Sequence, residues 1–251
     1  MPPHFRPMAA AHPHPPRRAG FTLVELLVVI GIIALLIAIL MPALSAAKSQ
    51  ANTIRCASNL HAIGRAMQQY ANDYKGRIPR GYDYDQAYRA GRILWGEALS
   101  KYVNHPVEVA DTSIARDAVM AREFRNIAVY QCPVFPNDDQ SLDYVANSWT
   151  GGNTQDDAAI IVSRVPRSSE VVFLTEANAK SLTDIFRFHD VWDPSHLPTS
   201  GPPVYYVQPD ARVLNDQRHR GRINLLYLDG HAGTKMFREV VRKDFDFDAV
   251  R

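Results

Sequence analysis

Cysteine is scarce in this chain: two residues in 251, Cys56 and Cys132, and no Cys-x-x-Cys. Dithiol redox catalysis and a zinc ribbon are therefore excluded as local motifs. A dominant charge is also missing, since 28 Lys+Arg face 26 Asp+Glu. That balance excludes a histone-like chain, and basic residues scattered among acids argue against nucleic acid as a partner. There is no nucleophile elbow, no phosphate-cradling glycine loop and no His-Glu-x-x-His, so none of the short catalytic signatures applies. Internal repeats are absent, and long apolar runs are absent but for one. Wholesale disorder is excluded by a hydrophobic content of 46%.

What is present is unevenly distributed. Residues 1–20 carry Arg6, Arg17 and Arg18, no acid, and six of the 17 prolines. Without them the charge balance is 25 against 26, or −1 (28 less the three leader arginines, against 26). Residues 21–41 follow, apolar except for Thr22, Glu25 and Gly31. At about 1.5 Å per residue a helix of this length spans about 31 Å, the thickness of a bilayer core. Arg17 and Arg18 precede the run, which by the positive-inside rule holds the leader in the cytoplasm and passes the rest across. A cleaved secretory signal is the competing interpretation. Against it, the run exceeds a signal-peptide core, and after it a small-residue cleavage site comes only beyond Pro42. Glu25 is the anomaly, because a carboxylate deep in a bilayer costs about 2.5–3.5 kcal/mol. It either reaches back to the interface or has a partner.

Arg17-Arg18-Ala19-Gly20 followed by Phe21-Thr22-Leu23-Val24-Glu25-Leu26-Leu27-Val28-Val29-Ile30 resembles the type III signal of type IV pilins and type II secretion pseudopilins. The resemblance implies that a prepilin peptidase cuts after Gly20 and methylates the new N-terminal Phe21, and that Glu25 acts in assembly. The freed amine of one subunit would neutralise the Glu25 carboxylate of another, removing its burial cost and setting the axial register of a filament. Further family-like segments are Arg55–Leu60, Gln131-Cys132-Pro133, Glu170–Glu176 and Arg218–His231, the last carrying the His-x9-Asp-Gly signature of pilin-like bacterial proteins in His219, Asp229 and Gly230.

Beyond Pro42, which is expected to kink the helix rather than stop it, Cys56, Leu60, Ile63, Met67, Tyr70 and Tyr74 recur at spacings of 3 and 4. Arg55, Ser58, Arg65, Gln68, Asn72 and Lys75 occupy the opposite face, and Gly76 ends the helix. The remainder reads as mixed: a short helix over 93–103, a second capped near Asp111-Thr112-Ser113 and running to about Arg125, and strands at 127–131, 158–165, 170–175, 204–207, 222–228 and 231–237. Residues 193–203 read as loop. Asp229-Gly230 predicts a hairpin with a type I′ turn. The domain plan is then a leader at 1–20, a transmembrane segment at 21–41, an amphipathic continuation at 42–76, and a head at 77–251. The fold class is α+β: a pilin-like long N-terminal helix packed on an antiparallel-sheet head.

Two cysteines in an exported domain suggest a Cys56–Cys132 disulfide, whose loop would contribute about 4 kcal/mol; two buried free thiols are the alternative. His189, His196, His219 and His231 fall near Asp190, Asp193 and Asp229, but no pair has tight ligand spacing, so no metal is assigned. His219 and Asp229 read as structural, a loop histidine bonding near the hairpin. The resemblance raises calcium, which major pseudopilins bind in a head loop. Asn137-Asp138-Asp139 and Asn153–Asp157 offer oxygen ligands, yet short acidic loops are more often merely solvated, and no cofactor is assigned. The expectation is a non-enzymatic pseudopilin-like subunit, of the minor kind by the size of its head, cleaved, methylated and built into a type II secretion-like pseudopilus or a type IV pilus-like filament. Its partners would be the prepilin peptidase, other pilin-like subunits, an assembly platform with its ATPase, and membrane lipid. It would sit as a single-pass protein of the bacterial inner membrane, leader cytoplasmic and head periplasmic, before extraction into a filament. The contrasting expectation is a membrane-anchored periplasmic binding protein or hydrolase that uses the signal only for export.

Overall fold

The computed structural model describes residues 21–79, 95–107, 122–135, 142–147, 160–177, 191–192 and 218–246. Its first element is helix α1, Leu23–Asp73, which runs through Pro42 without a break. Fifty-one residues correspond to about 76 Å of helix. The chain divides into two compact units, 1–46 and 47–251, so α1 contributes to both. In the first unit the apolar side chains of α1, Leu23 through Leu44, are exposed. This helix is long and apolar enough to cross a membrane.

In the second unit α1 buries Cys56, Asn59, Leu60, Ile63, Gly64, Ala66 and Met67. The expected stripe therefore packs from Cys56 to Met67. It frays at Tyr70, half-buried, and at Tyr74, exposed and stacked on Tyr70 at 4.2 Å. The helix gives way to a turn at 74–76, where Lys75 and Gly76 are both left-handed (φ 57° and 81°) and the Gly76 N–H donates to the Ala71 carbonyl at 2.7 Å.

A second helix, α2 (Trp95–Ser100), continues into a 3-10 turn, Lys101–Val103, and residues 122–126 are helical. Five strands follow: β1 (Tyr144–Asn147), β2 (Val172–Glu176), β3 (Val191–Trp192), β4 (Arg222–Tyr227) and β5 (Ala232–Met236). They form one sheet in the order β3-β1-β2-β4-β5, antiparallel throughout except for β3, which pairs with β1 in parallel. Both faces of the sheet are covered. Tyr144, Ala146, Phe173 and Leu226 pack with the buried stripe of α1, while Val145, Val172, Ile223, Leu225 and Tyr227 pack with Phe237, Val240 and Phe245 of the C-terminal segment. Double burial explains why residues 171–174 and 225–228 read as continuous apolar runs rather than alternating ones.

Strands expected at 170–175, 222–228 and 231–237 form as β2, β4 and β5. The one expected at 127–131 does not, nor does the one expected at 158–165 over its described residues, 160–165. Residues 128–130 make a 3-10 turn, with Tyr130 N–H donating to the Ile127 carbonyl at 2.9 Å. Within 160–165, Ile161 makes one isolated bridge to Arg77 before a 3-10 turn at Val162–Arg164. The segments at 111–121, 193–203 and 204–207 lie outside the described residues, as do the acidic stretches 137–139 and 153–157. The Asp-Gly hairpin forms, but not as a two-residue type I′ turn. Tyr227 pairs with His231 across three residues, and the left-handed φ falls on Gly230 alone (88°), the geometry of a type I turn closed by a glycine bulge.

Candidate functional site

Two places concentrate chemistry. The first is the start of α1. Thr22 precedes the helix and Glu25 is its third residue, and the two form a reciprocal cap. The Glu25 N–H donates to Thr22 Oγ1 at 3.2 Å, while the Thr22 N–H and hydroxyl donate to Glu25 Oε2 at 2.9 and 2.8 Å. This is the Thr-x-x-Glu capping box, a signal present in the sequence that the reading of Glu25 as an intramembrane charge overlooked. Phe21 is exposed, and Gly20 lies outside the described residues.

The second place lies inside the head. Cys56 on α1, Cys132 after the 3-10 turn, Glu176 at the end of β2 and His219 in the turn before β4 converge, with their donor atoms all within 4.8 Å of one another. All four are buried. Each is aimed by a local device. Asn59, one turn along α1 from Cys56, donates from Nδ2 to the Gln131 carbonyl at 2.8 Å and so ties the segment bearing Cys132 to the helix. The Cys132 N–H donates to Asp143 Oδ2 at 2.5 Å. Glu176 accepts from Asn224 twice, from the side chain at 2.9 Å and from the backbone at 3.2 Å. His219 and Arg220 both have left-handed backbones (φ 50° and 57°) followed by Gly221 at 76°. Left-handed non-glycine residues cost about 1 kcal/mol or more each and persist where surrounding contacts over-determine them.

The imidazole of His219 sits among three partners: Thr53 Oγ1, which also donates to the Ser49 carbonyl at 3.1 Å, meets Nδ1 at 3.1 Å, and Nε2 faces both Glu176 Oε1 at 2.9 Å and Cys132 Sγ at 3.6 Å. The electrostatics follow from this crowding. Burial would lower the His219 pKa, but hydrogen bonds to Cys132 and Glu176 outweigh it and hold the ring up at about 9. The Cys132 thiol falls to about 6, led by its hydrogen bond from Cys56, against burial and with help from His219. Cys56 moves far upward through that same hydrogen bond, burial and the adjacent negative charge. Burial raises Asp143 to about 8.

Cys56 and Cys132 are thus neighbours, and no bridge joins them. His219 does not bond near the hairpin; its partners lie at the opposite end of β4 from Asp229. Asp229 instead accepts from the backbone of His231 at 3.1 Å and pairs with its Nδ1 at 2.6 Å, and the His231 ring stacks on Tyr227. The Asp229 carbonyl accepts from Gln68 Nε2 at 2.7 Å. The nine-residue spacing between His219 and Asp229 therefore spans β4, whose ends meet α1 at Thr53 and Gln68. Six strand residues cover about 20 Å, and the fifteen helical positions from Thr53 to Gln68 cover about 22 Å. His189, His196, Asp190 and Asp193 lie outside the described residues. Glu176 was passed over because no cysteine or histidine stands near it in sequence. Four of the family-like segments nevertheless each hold one member of the cluster.

Residues 15–41 match the family model of the prokaryotic N-terminal methylation motif. No curated protein and no solved structure matches the chain.

Proposed function

We propose that this chain is a prepilin-like structural subunit, processed at its N-terminus and assembled through α1 into a filament of the type IV pilus or type II secretion pseudopilus kind. The observation that carries the reading is the methylation motif at 15–41, coinciding with the helical stretch whose apolar side chains are all exposed in the isolated chain. An apolar helical face of this length needs either lipid or other helices, and a filament subunit meets both in turn. In the bacterial inner membrane α1 is a single-pass anchor with the leader in the cytoplasm and the head in the periplasm. During assembly its neighbours become the same helices of other subunits, gathered by a platform protein and an ATPase.

Glu25 links the two states. In the single chain its carboxylate is satisfied by Thr22. Cleavage after Gly20 creates an amine on Phe21, and in a bundle that amine from one subunit is a stronger, charged partner for the carboxylate of the next. A structural role suits the cluster: its four side chains are buried, and its imidazole turns the same nitrogen to both cysteine and carboxylate.

The experiment is intact-mass and N-terminal peptide analysis of the chain recovered from membranes that contain a prepilin peptidase. The expected product begins with N-methylated Phe21. An intact leader, or a cut beyond Pro42, overturns the proposal, leaving a simple anchor in the first case and a released head in the second.

A further inference from the structure

We propose that Cys56, Cys132, Glu176 and His219 form a closed, four-coordinate site for a divalent transition metal, zinc by its donor chemistry, which fastens α1 to the sheet of the head. The inference stands apart from filament assembly and holds whatever the chain builds.

Geometry carries it. Zinc bonds thiolate sulfur at about 2.3 Å and nitrogen or oxygen at about 2.0–2.2 Å, so the donors of a tetrahedral site stand about 3.3–3.8 Å apart. Here the four donor atoms lie within 4.8 Å of one another, and His219 Nε2 is 3.6 Å from Cys132 Sγ and 2.9 Å from Glu176 Oε1. Closing the widest pairs by about 1 Å and opening the Nε2–Oε1 pair by about 0.4 Å brings the set to coordination distance. Two sulfurs, one imidazole and one carboxylate are all zinc ligands, and a set whose four positions are all supplied by protein has the closure of a structural zinc site rather than a catalytic one.

The surroundings of the donors support the same conclusion. Nε2 of His219, Oε1 of Glu176 and Sγ of Cys132 face one another in a buried space, and a metal ion there takes the place of the proton that otherwise lies between them. Each donor also has an outer partner of the kind that orients metal ligands: Thr53 behind His219, Asn224 behind Glu176, and Asp143 on the backbone of Cys132. Two thiolates and a carboxylate around a divalent ion leave one negative charge. Arg218, adjacent in sequence and buried, supplies the compensating positive one, its guanidinium acting on Cys56 and Asp143.

The alternatives use less of what is there. A disulfide would occupy both sulfurs but leave a buried carboxylate and the aimed imidazole nitrogen against an uncharged bridge. A cysteine nucleophile with a histidine base needs the carboxylate on the ring nitrogen away from the thiol, and here both share Nε2.

The test uses the full chain, extracted in detergent with a tag free of histidine, and reads three quantities. Elemental analysis is expected to give about one zinc per chain, the stoichiometry of a single closed site. Alkylation after denaturation, followed by intact mass, should find both cysteines as thiols. Exchange with cobalt(II) should produce thiolate-to-metal charge-transfer bands together with the d–d bands of a tetrahedral ion. Glu176→Gln, which retains the size and hydrogen bonds to Asn224, should lose the metal. Thr53→Val, which touches no donor atom directly bound to metal, should weaken affinity by about 10–100-fold. A zinc content nearer zero than one, whether the cysteines are then found bridged or free, overturns the proposal, as does a cobalt complex without thiolate bands.

Discussion

At Gly64 the helix has no room for a side chain. A Cβ there would collide with the Gly230 carbonyl oxygen and come within 2.8 Å of Leu226 Cδ1, so α1 and the β4–β5 hairpin touch through backbone. Gly230 meets the same contact from the other side: its φ of 88° disfavours any side chain, and a Cβ would lie 2.6 Å from Gln68 Nε2. Gly64→Ala must push the hairpin off the helix, and overpacking of this kind costs about 1–3 kcal/mol. A lowered midpoint in heat denaturation of the full chain in detergent, followed by near-ultraviolet circular dichroism, is the expected result. Asn147 is a second position where one residue decides a large contact. Its amide donates to the Val172 carbonyl at 2.9 Å and to the Phe245 carbonyl at 2.7 Å, joining β1 to β2 and to the C-terminal segment. Asn147→Ala removes both hydrogen bonds to buried carbonyls, about 1–3 kcal/mol, and should expose the C-terminal segment to protease before the rest of the head. Cleavage that begins elsewhere at an unchanged rate would show that the amide carries no such role.

Which elements were legible follows from how much of their signal is local. The half of α1 from Cys56 to Met67 shows its 3-and-4 spacing because one side meets the sheet and the other water, and β4 with β5 is announced by apolar runs flanking Asp229-Gly230. Residues 127–131, Ile-Ala-Val-Tyr-Gln, carry the composition of a strand yet turn as a 3-10 segment. Asn59 captures the Gln131 carbonyl, and Tyr130 buries its ring against Trp95 while donating its hydroxyl to the Gly96 carbonyl at 2.8 Å, contacts that no local propensity encodes. Strand β1 was missed for the converse reason: Asp143 and Asn147 bracket it and look like loop residues, but both are buried and hydrogen-bonded to other segments. The candidate site was half legible. Cys56 and Cys132 were paired from the sequence, and His219 was singled out, but Glu176 joins them only through the β2–β4 pairing, where Thr175 opposes Leu225 and sets the carboxylate beside Asn224. The Asn59 hydrogen bond to the Gln131 carbonyl gives an element-scale expectation. Asn59→Leu should release residues 128–132 from the helix, and Cys132 should then be alkylated under native conditions at least about tenfold faster, the change that a loss of about 1.4 kcal/mol in local opening energy produces. Unchanged protection would place the hold on Cys132 elsewhere.

For the whole molecule the decisive residue is Glu25, because it has one partner in the single chain and is proposed to take another in the assembled one. The cap from Thr22 satisfies the carboxylate locally, which is worth about 1 kcal/mol to a helix start. An ion pair with the amine of a neighbouring Phe21, held among apolar helices, is worth more to lose: removing one member of a buried pair costs about 3–5 kcal/mol. The two roles separate by mutation. Thr22→Val abolishes the hydroxyl of the cap but leaves the charge, so it should be cleaved and assembled at near-normal yield, with a more frayed helix start. Glu25→Ala abolishes both, and should still be cleaved after Gly20 while its recovery in sheared filaments falls by more than about tenfold, since 1.4 kcal/mol already corresponds to that factor. The measurement is the ratio of mature chain in the filament fraction to mature chain in the membrane, for both variants beside the unaltered protein. Equal losses in the two variants would assign Glu25 to capping alone. A loss confined to Glu25→Ala ties the carboxylate to contact between subunits, which is what a lone charge in an otherwise uniform apolar helix can specify and apolar residues cannot: a single axial register.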